Sequence, residues 1–145
     1  MIALELFNLF AAGLLAGIEF AVRFGVRGPL TILDERPQIQ IRQALIKTLR
    51  LLVPAVYVPT LLSGILLTIL YGGAFRWVGV AALLVWTVTT FAGTVPLNQR
   101  LYEWNPDAPP PDWREVIQRW HVLDTIRTWA ALAAFASFAW QLAVR

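Results

Sequence analysis

The sequence predicts an all-α integral membrane protein: a single four-helix bundle over residues 1–145, of up-down topology, with both termini extracytoplasmic. Composition is the first reason. Of the 145 residues 58% are hydrophobic and only 14% charged, with a mean hydropathy of +0.61, whereas soluble domains carry about 25% charged residues. Charge spacing is the second. No charged residue stands between Arg50 and Arg76 or between Arg76 and Arg100, and either gap can cross about 30 Å of hydrocarbon as a helix. The third is where the remaining charges fall. Arg23, Arg27, Arg36, Arg42, Lys47 and Arg50 share one connection, and Arg100, Arg114, Arg119 and Arg127 another. The connection between them holds only Arg76, and the C-terminal segment only Arg145. Basic connections face the cytoplasm.

The spans follow at about 2–23, 44–71, 76–99 and 120–143. The second and third are clean. The first and fourth are tight: 13 uncharged residues separate Glu5 from Glu19, and 17 separate Arg127 from Arg145. A span needs about 20, so Glu19, Asp124 and Arg127 are forced to the edge of the hydrocarbon or inside it. The N-terminal run lacks a basic flank and a cleavage site, and reads as a retained helix rather than a secretory signal. Continuous helices are expected for the first and fourth spans, and a bend at Pro54 and Pro59 in the second. Gly13 and Gly17, four apart, offer a close helix approach. "LTILDERPQI" (30–39) reads as an interfacial turn around Pro37. Residues 104–112 read as a proline-stiffened cytoplasmic loop, with Asp112 as N-cap of the next helix and Glu115 completing a capping box.

Composition also excludes chemistries. With no cysteine, disulfides, zinc–thiolate sites and thiol catalysis are absent. The net charge of +3 comes from basic residues set between long apolar runs, as in membrane-protein loops, and no nucleic-acid partner is expected. The expected partner is membrane lipid.

This orientation brings polar groups of all four helices to one depth, in the cytoplasmic leaflet. Glu19 ends the first span, Tyr57 and Arg50 lie in the inner half of the second, and Asn98 and Arg100 end the third. His121, Asp124 and Arg127 begin the fourth. Intramembrane ionisable groups face the bundle interior and find partners there. Each has a structural reading beside the functional one. Glu19 can pair with Arg23 or with a neighbouring helix, and Asp124 with Arg127. For His121 a functional role is expected, because the unperturbed pKa of an imidazole suits proton transfer near neutral pH. His121, Glu19 and Asp124 are the only set with the makings of a metal site, a weak one; no metal or other cofactor is predicted.

Three segments, "GLLAGIEFAVRFGVRGPL" (13–30), "FAGTVPLNQRLYEW" (91–104) and "DWREVIQRWHVLDTIRTWAALAAF" (112–135), resemble the anthrone-oxygenase-like family of small membrane proteins. The most specific element is "VPLN" closing the third helix, then a proline-rich loop and a Trp-rich helix start with an arginine. The resemblance implies a four-helix membrane protein, some of whose relatives oxidise a reduced tricyclic polyphenol to a quinone with dioxygen. Asn98, Arg127, Trp113 and Trp120 match the family's apparent signature. The likeness is to the bacterial branch, which implies a bacterial cytoplasmic membrane.

The expected activity is therefore that of an oxygenase acting on an apolar aromatic, anthrone- or polyphenol-like molecule at an inner-leaflet pocket. His121, oriented by Glu19 or Asp124, would take a proton; Arg127 and Asn98 would stabilise the resulting oxyanion; Trp113, Trp120 and Tyr57 would hold the rings. The alternative is a non-enzymatic bundle that binds a lipid or quinone or supports a partner membrane protein. The residues alone leave open whether the chain is an enzyme.

Overall fold

The computed structural model describes residues 1–145 as four long helices with no strand. They are α1 (Ile2–Thr31), α2 (Glu35–Tyr71), α3 (Ala74–Glu103) and α4 (Trp113–Ala143), of 30, 37, 30 and 31 residues. At 1.5 Å per residue each exceeds about 40 Å, and all four are apolar enough to cross a membrane. The chain is an integral membrane protein. Its helices run several residues beyond the hydrophobic spans, into the depth where polar residues concentrate.

Small residues set the packing. Ala12 and Ala16 of α1 and Ala131 and Ala134 of α4 are buried in a core with Leu15, Leu83, Trp86 and Phe138, as expected where lipid offers no hydrophobic drive and close contact must hold the helices. Gly79 is required there, because a methyl at that position would lie 2.7 Å from the Phe138 ring. Outward positions carry large apolar side chains such as Leu62, Val88 and Trp129, the surface presented to acyl chains.

At one end of the bundle the carboxylate of Glu5, 5% exposed, is held by Arg76 and Arg145. The start of α1, the start of α3 and the C-terminal segment therefore meet. Gly72 and Gly73 turn the chain between α2 and α3 there with φ of 63° and 100°, a conformation costly for residues with a Cβ. At the other end α1 joins α2 through residues 32–34, and Gln43 Nε2 donates to the carbonyls of Leu101 (3.0 Å) and Trp104 (2.8 Å), fastening the end of α3 to α2.

Several local expectations are corrected. The turn after α1 centres on Leu33 and Asp34; Pro37 lies in the first turn of α2, where a missing N–H costs nothing. α2 carries Pro54 and Pro59 inside one uninterrupted helix, which is compatible with the bend expected there. Changes of helix type fall elsewhere: the first span is continuous α-helix from Ile2 to Ala21, with a π-helical turn following at Val22–Val26, and α3 has another at Thr90–Thr94. Asp112 does precede α4, but its side chain makes no capping hydrogen bond; it faces Arg100 at 3.7 Å instead. Of the glycine pair, Gly13 faces Phe135, while Gly17 has open space beside it.

Candidate functional site

A cavity of about 250 Å³ lies among all four helices, in the half of the bundle away from Glu5. It is close to the lower end of the roughly 300–1,000 Å³ typical of small-molecule sites. Glu19, Tyr57, Asn98, Trp120, Asp124 and Arg127, six of the eight candidate residues, line it.

Its most ordered wall begins at Glu19, which is 3% exposed. Arg127 donates to Glu19 Oε1 at 2.8 Å, and Trp86 Nε1 donates to the same oxygen at 3.0 Å. The Arg127 guanidinium lies 4.6 Å from the centre of the Trp86 ring, and Tyr57 stacks on that ring's neighbourhood at 4.3 Å between centroids. The Tyr57 hydroxyl is anchored to Thr87. A buried carboxylate, a cation and two stacked aromatics thus form one block contributed by α1, α2, α3 and α4. Truncating either charge would strand the other in a low-dielectric interior.

Of the expected pairings, the one between Glu19 and a neighbouring helix is formed and the two local ones are not. Arg23 binds Thr125 rather than Glu19, and Arg127 crosses to Glu19 rather than to Asp124. Asp124 is left 3% exposed with its Oδ2 lacking any partner. An unpaired carboxylate beside an apolar cavity is free to accept a proton.

α3 contributes a polar ladder. Thr90, Thr94 and Asn98 recur every four residues, so they share a helix face, and all three line the cavity. Seven hydroxyl residues (Thr48, Thr60, Ser63, Thr68, Thr87, Thr125 and Thr128) donate to the carbonyl four residues earlier. Thr90 and Thr94 do not; their Oγ1 atoms are buried without partners. Both belong to the π-helical turn, an irregularity that often marks functional positions. Gly93 permits that turn to sit against α4, since a methyl there would lie 2.7 Å from Leu123. Asn98 uses its Oδ1 to accept from Trp120 Nε1 at 2.9 Å.

His121 and Trp113 are elsewhere. They line a second, more polar cavity of about 460 Å³ at the end of the bundle. Neither Glu19 nor Asp124 orients His121; its ring contact is Arg42, 3.4 Å from Nε2. The cause is helical geometry. Each three-residue step falls about 60° short of a full turn, so His121, Asp124 and Arg127 rotate progressively and the first of them faces α2. Trp113 packs with Ile39, Leu101 and Ile117. For the same reason His121, Glu19 and Asp124 do not form a metal-ligand group.

Four residues of the two cavities escape the sequence reading. Trp86 sits in an uncharged run and looks lipid-facing; Arg42, only 4% exposed, looks like a loop cation. Thr90 and Thr94 had a signal, their four-residue spacing from Asn98.

Residues 43–137, about two thirds of the chain, match the family described as anthrone oxygenase. No curated protein and no solved structure matches the chain. The matched segment contains α2 from Gln43 onward, all of α3 and most of α4, and with them the aromatic wall, the threonine ladder, Asp124 and Arg127. The chain belongs to the anthrone oxygenase family.

Proposed function

We propose that this protein oxidises a flat, apolar, anthrone- or polyphenol-like molecule with dioxygen inside the four-helix cavity, without a cofactor. The observation that carries the reading is the partnerless Asp124 carboxylate beside a cavity walled by the Tyr57–Trp86 stack and the Glu19–Arg127 pair. Family membership supports oxygenase-like chemistry.

Asp124 is the base in this reading. It takes a proton from the CH₂ carbon between the aromatic rings, and the negative charge delocalises onto the carbonyl oxygen. Arg127, whose Nε is unpartnered, and the amide of Asn98 stabilise that oxyanion. The carbanion transfers an electron to dioxygen and the radical pair combines, forming a C–O bond and a peroxide. Loss of the second C–H proton with cleavage of the O–O bond gives the new carbonyl and water. One oxygen atom enters the product and the other leaves as water; the substrate supplies all four electrons, and the proton taken by Asp124 returns in the water. Glu19 holds Arg127 in place and is the poorer base of the two, since an ion pair with a guanidinium stabilises its charged form while Asp124 has no such partner.

Loop charges support an up-down arrangement with both termini extracytoplasmic, which sets the cavity in the cytoplasmic leaflet. Val58 and Phe91 line the cavity and are also 48% and 64% exposed. This supports entry of a membrane-dissolved substrate between α2 and α3. Membrane lipid and an apolar aromatic molecule are the proposed partners.

The test is dioxygen uptake and quinone absorbance with anthrone as substrate, using detergent-purified protein and a protein-free control for autoxidation. Wild type should exceed the control, and Asp124→Asn, which keeps the shape, should lose at least about 100-fold of that excess. A wild-type rate equal to the control overturns the enzyme. A fully active Asp124→Asn overturns the base.

A further inference from the structure

The polar cavity at the end of the bundle holds cations and N–H donors that the protein leaves without acceptors. Arg42 is 4% exposed, yet no carboxylate lies within ion-pair distance of it; its one side-chain hydrogen-bond contact is His121. A guanidinium has donors only, so Nε2 of His121 must supply the lone pair in this contact, which leaves the ring proton on Nδ1. That Nδ1 is buried without a partner, and so is Nε of Arg42. Arg42 and His121 both line the cavity. Two adjacent buried N–H groups therefore lack an acceptor, and one of them carries a formal charge.

The surroundings add positive charge. Arg23 and Arg27 are the other charged groups acting on His121, Arg23 is bound to Thr125, and neither arginine has an ion-pair partner. Arg114 adds donors along the wall, and Gln38 keeps one amide N–H beyond the one it gives to the Leu33 carbonyl. The carboxylates of this cavity, Asp34 and Glu35, belong to exposed residues at its rim. An unpaired buried charge is costly, and so is each orphaned donor.

We propose that this cavity is a phosphate-oxyanion site, occupied by the headgroup phosphate of a membrane phospholipid or by free phosphate, with Arg42 and His121 as its inner ligands. An oxyanion with several lone pairs meets both requirements at once: it neutralises Arg42 and accepts from Nε and Nδ1. The site lies beyond the apolar cavity, toward the residue 32–34 connection, the depth at which lipid phosphates lie if that end faces the membrane surface. Arg42 also lines the apolar cavity, but the proposal does not rest on the oxygenase reading, since the test measures binding and not turnover.

Thermal unfolding of delipidated protein in a neutral detergent is the experiment. The probes are inorganic phosphate and short-chain phosphatidylglycerol, with chloride at equal ionic strength as control. The phosphate-bearing probe that binds should raise the midpoint by at least about 3 °C at saturation. Stabilisation by both probes identifies a phosphate site open to solutes; stabilisation by the phospholipid alone identifies a lipid site. Arg42→Gln should lose the shift while melting no lower than stripped wild type, because it removes an uncompensated charge. His121→Gln provides a second reading should Arg42→Gln fail to fold, and it should lose at least half the shift. No shift with either probe in wild type, or a full shift retained in a folded Arg42→Gln or His121→Gln variant, overturns the proposal.

Discussion

Thr90 and Thr94 show how a single hydrogen bond, made or withheld, changes the meaning of a residue. Seven hydroxyls of this chain bond back to their own helix and are thereby neutral toward anything in the cavity. The two in the π-helical turn keep their hydrogen-bonding capacity for a ligand. In the proposed site they would donate to oxygen substituents on one edge of a flat ring system. A site that hydrogen-bonds a hydroxyl discriminates strongly against an analogue lacking it. Thr94→Val should therefore reduce the preference for a 1,8-dihydroxyanthraquinone over plain anthraquinone by at least about fivefold, read as the ratio of Kd values from tryptophan quenching. Thr94→Ser should restore it; an unchanged ratio in Thr94→Val removes the role.

At the scale of the helices, glycine decides how near each pair of axes comes. Gly79 lies beneath the Phe138 ring and Gly93 beneath Leu123, so α3 is pressed on α4 along much of its length. The remaining free volume falls near α2. Gly79→Ala should destabilise the bundle by about 1–3 kcal/mol, by the usual cost of overpacking, in reversible unfolding in mixed micelles. Gly17→Ala, with nothing within 4 Å, should change stability by less than about 0.5 kcal/mol. The sequence carried part of this. Charge gaps located all four helices because a single arginine in an apolar run is a large departure from hydrocarbon solubility. The π-helical turns had no such signature: a shift of hydrogen-bond register leaves composition and periodicity nearly unchanged. Gly13 and Gly17 looked equivalent at four-residue spacing, and only the position of Phe135 separates them.

For the molecule as a whole, which residues gather was more legible than which way they turn. Glu19, Asn98, Asp124 and Arg127 were expected at one level and they line one cavity. Which way each side chain turns depends on helix rotation, and there the reading of His121 parted from the structure. Arg42 was hidden for a related reason. Counting basic residues by connection treats all as solvent-exposed, and a helix that extends far beyond its hydrophobic span can bury one of them. The orientation is open to a direct check, because the chain has no cysteine. Cysteines placed singly at exposed Ala108 and exposed Phe75 should react with an impermeant maleimide from opposite faces, Ala108→Cys from the cytoplasm. The reverse pattern would invert the bundle and move the cavity to the other leaflet.

The two carboxylates of α1 both find their cations far along the chain. Glu19 is matched by Arg127, and Glu5 by Arg76 and then Arg145. Synthesis proceeds from the N-terminus at about 5–20 residues per second, so α1 is made seconds before the groups that neutralise it. Until α4 emerges, Glu19 has no acceptable place in the hydrocarbon, and α1 is a poor span on its own. Assembly is consequently timed by the last of the four helices: α1 becomes secure only once α4 has packed against it.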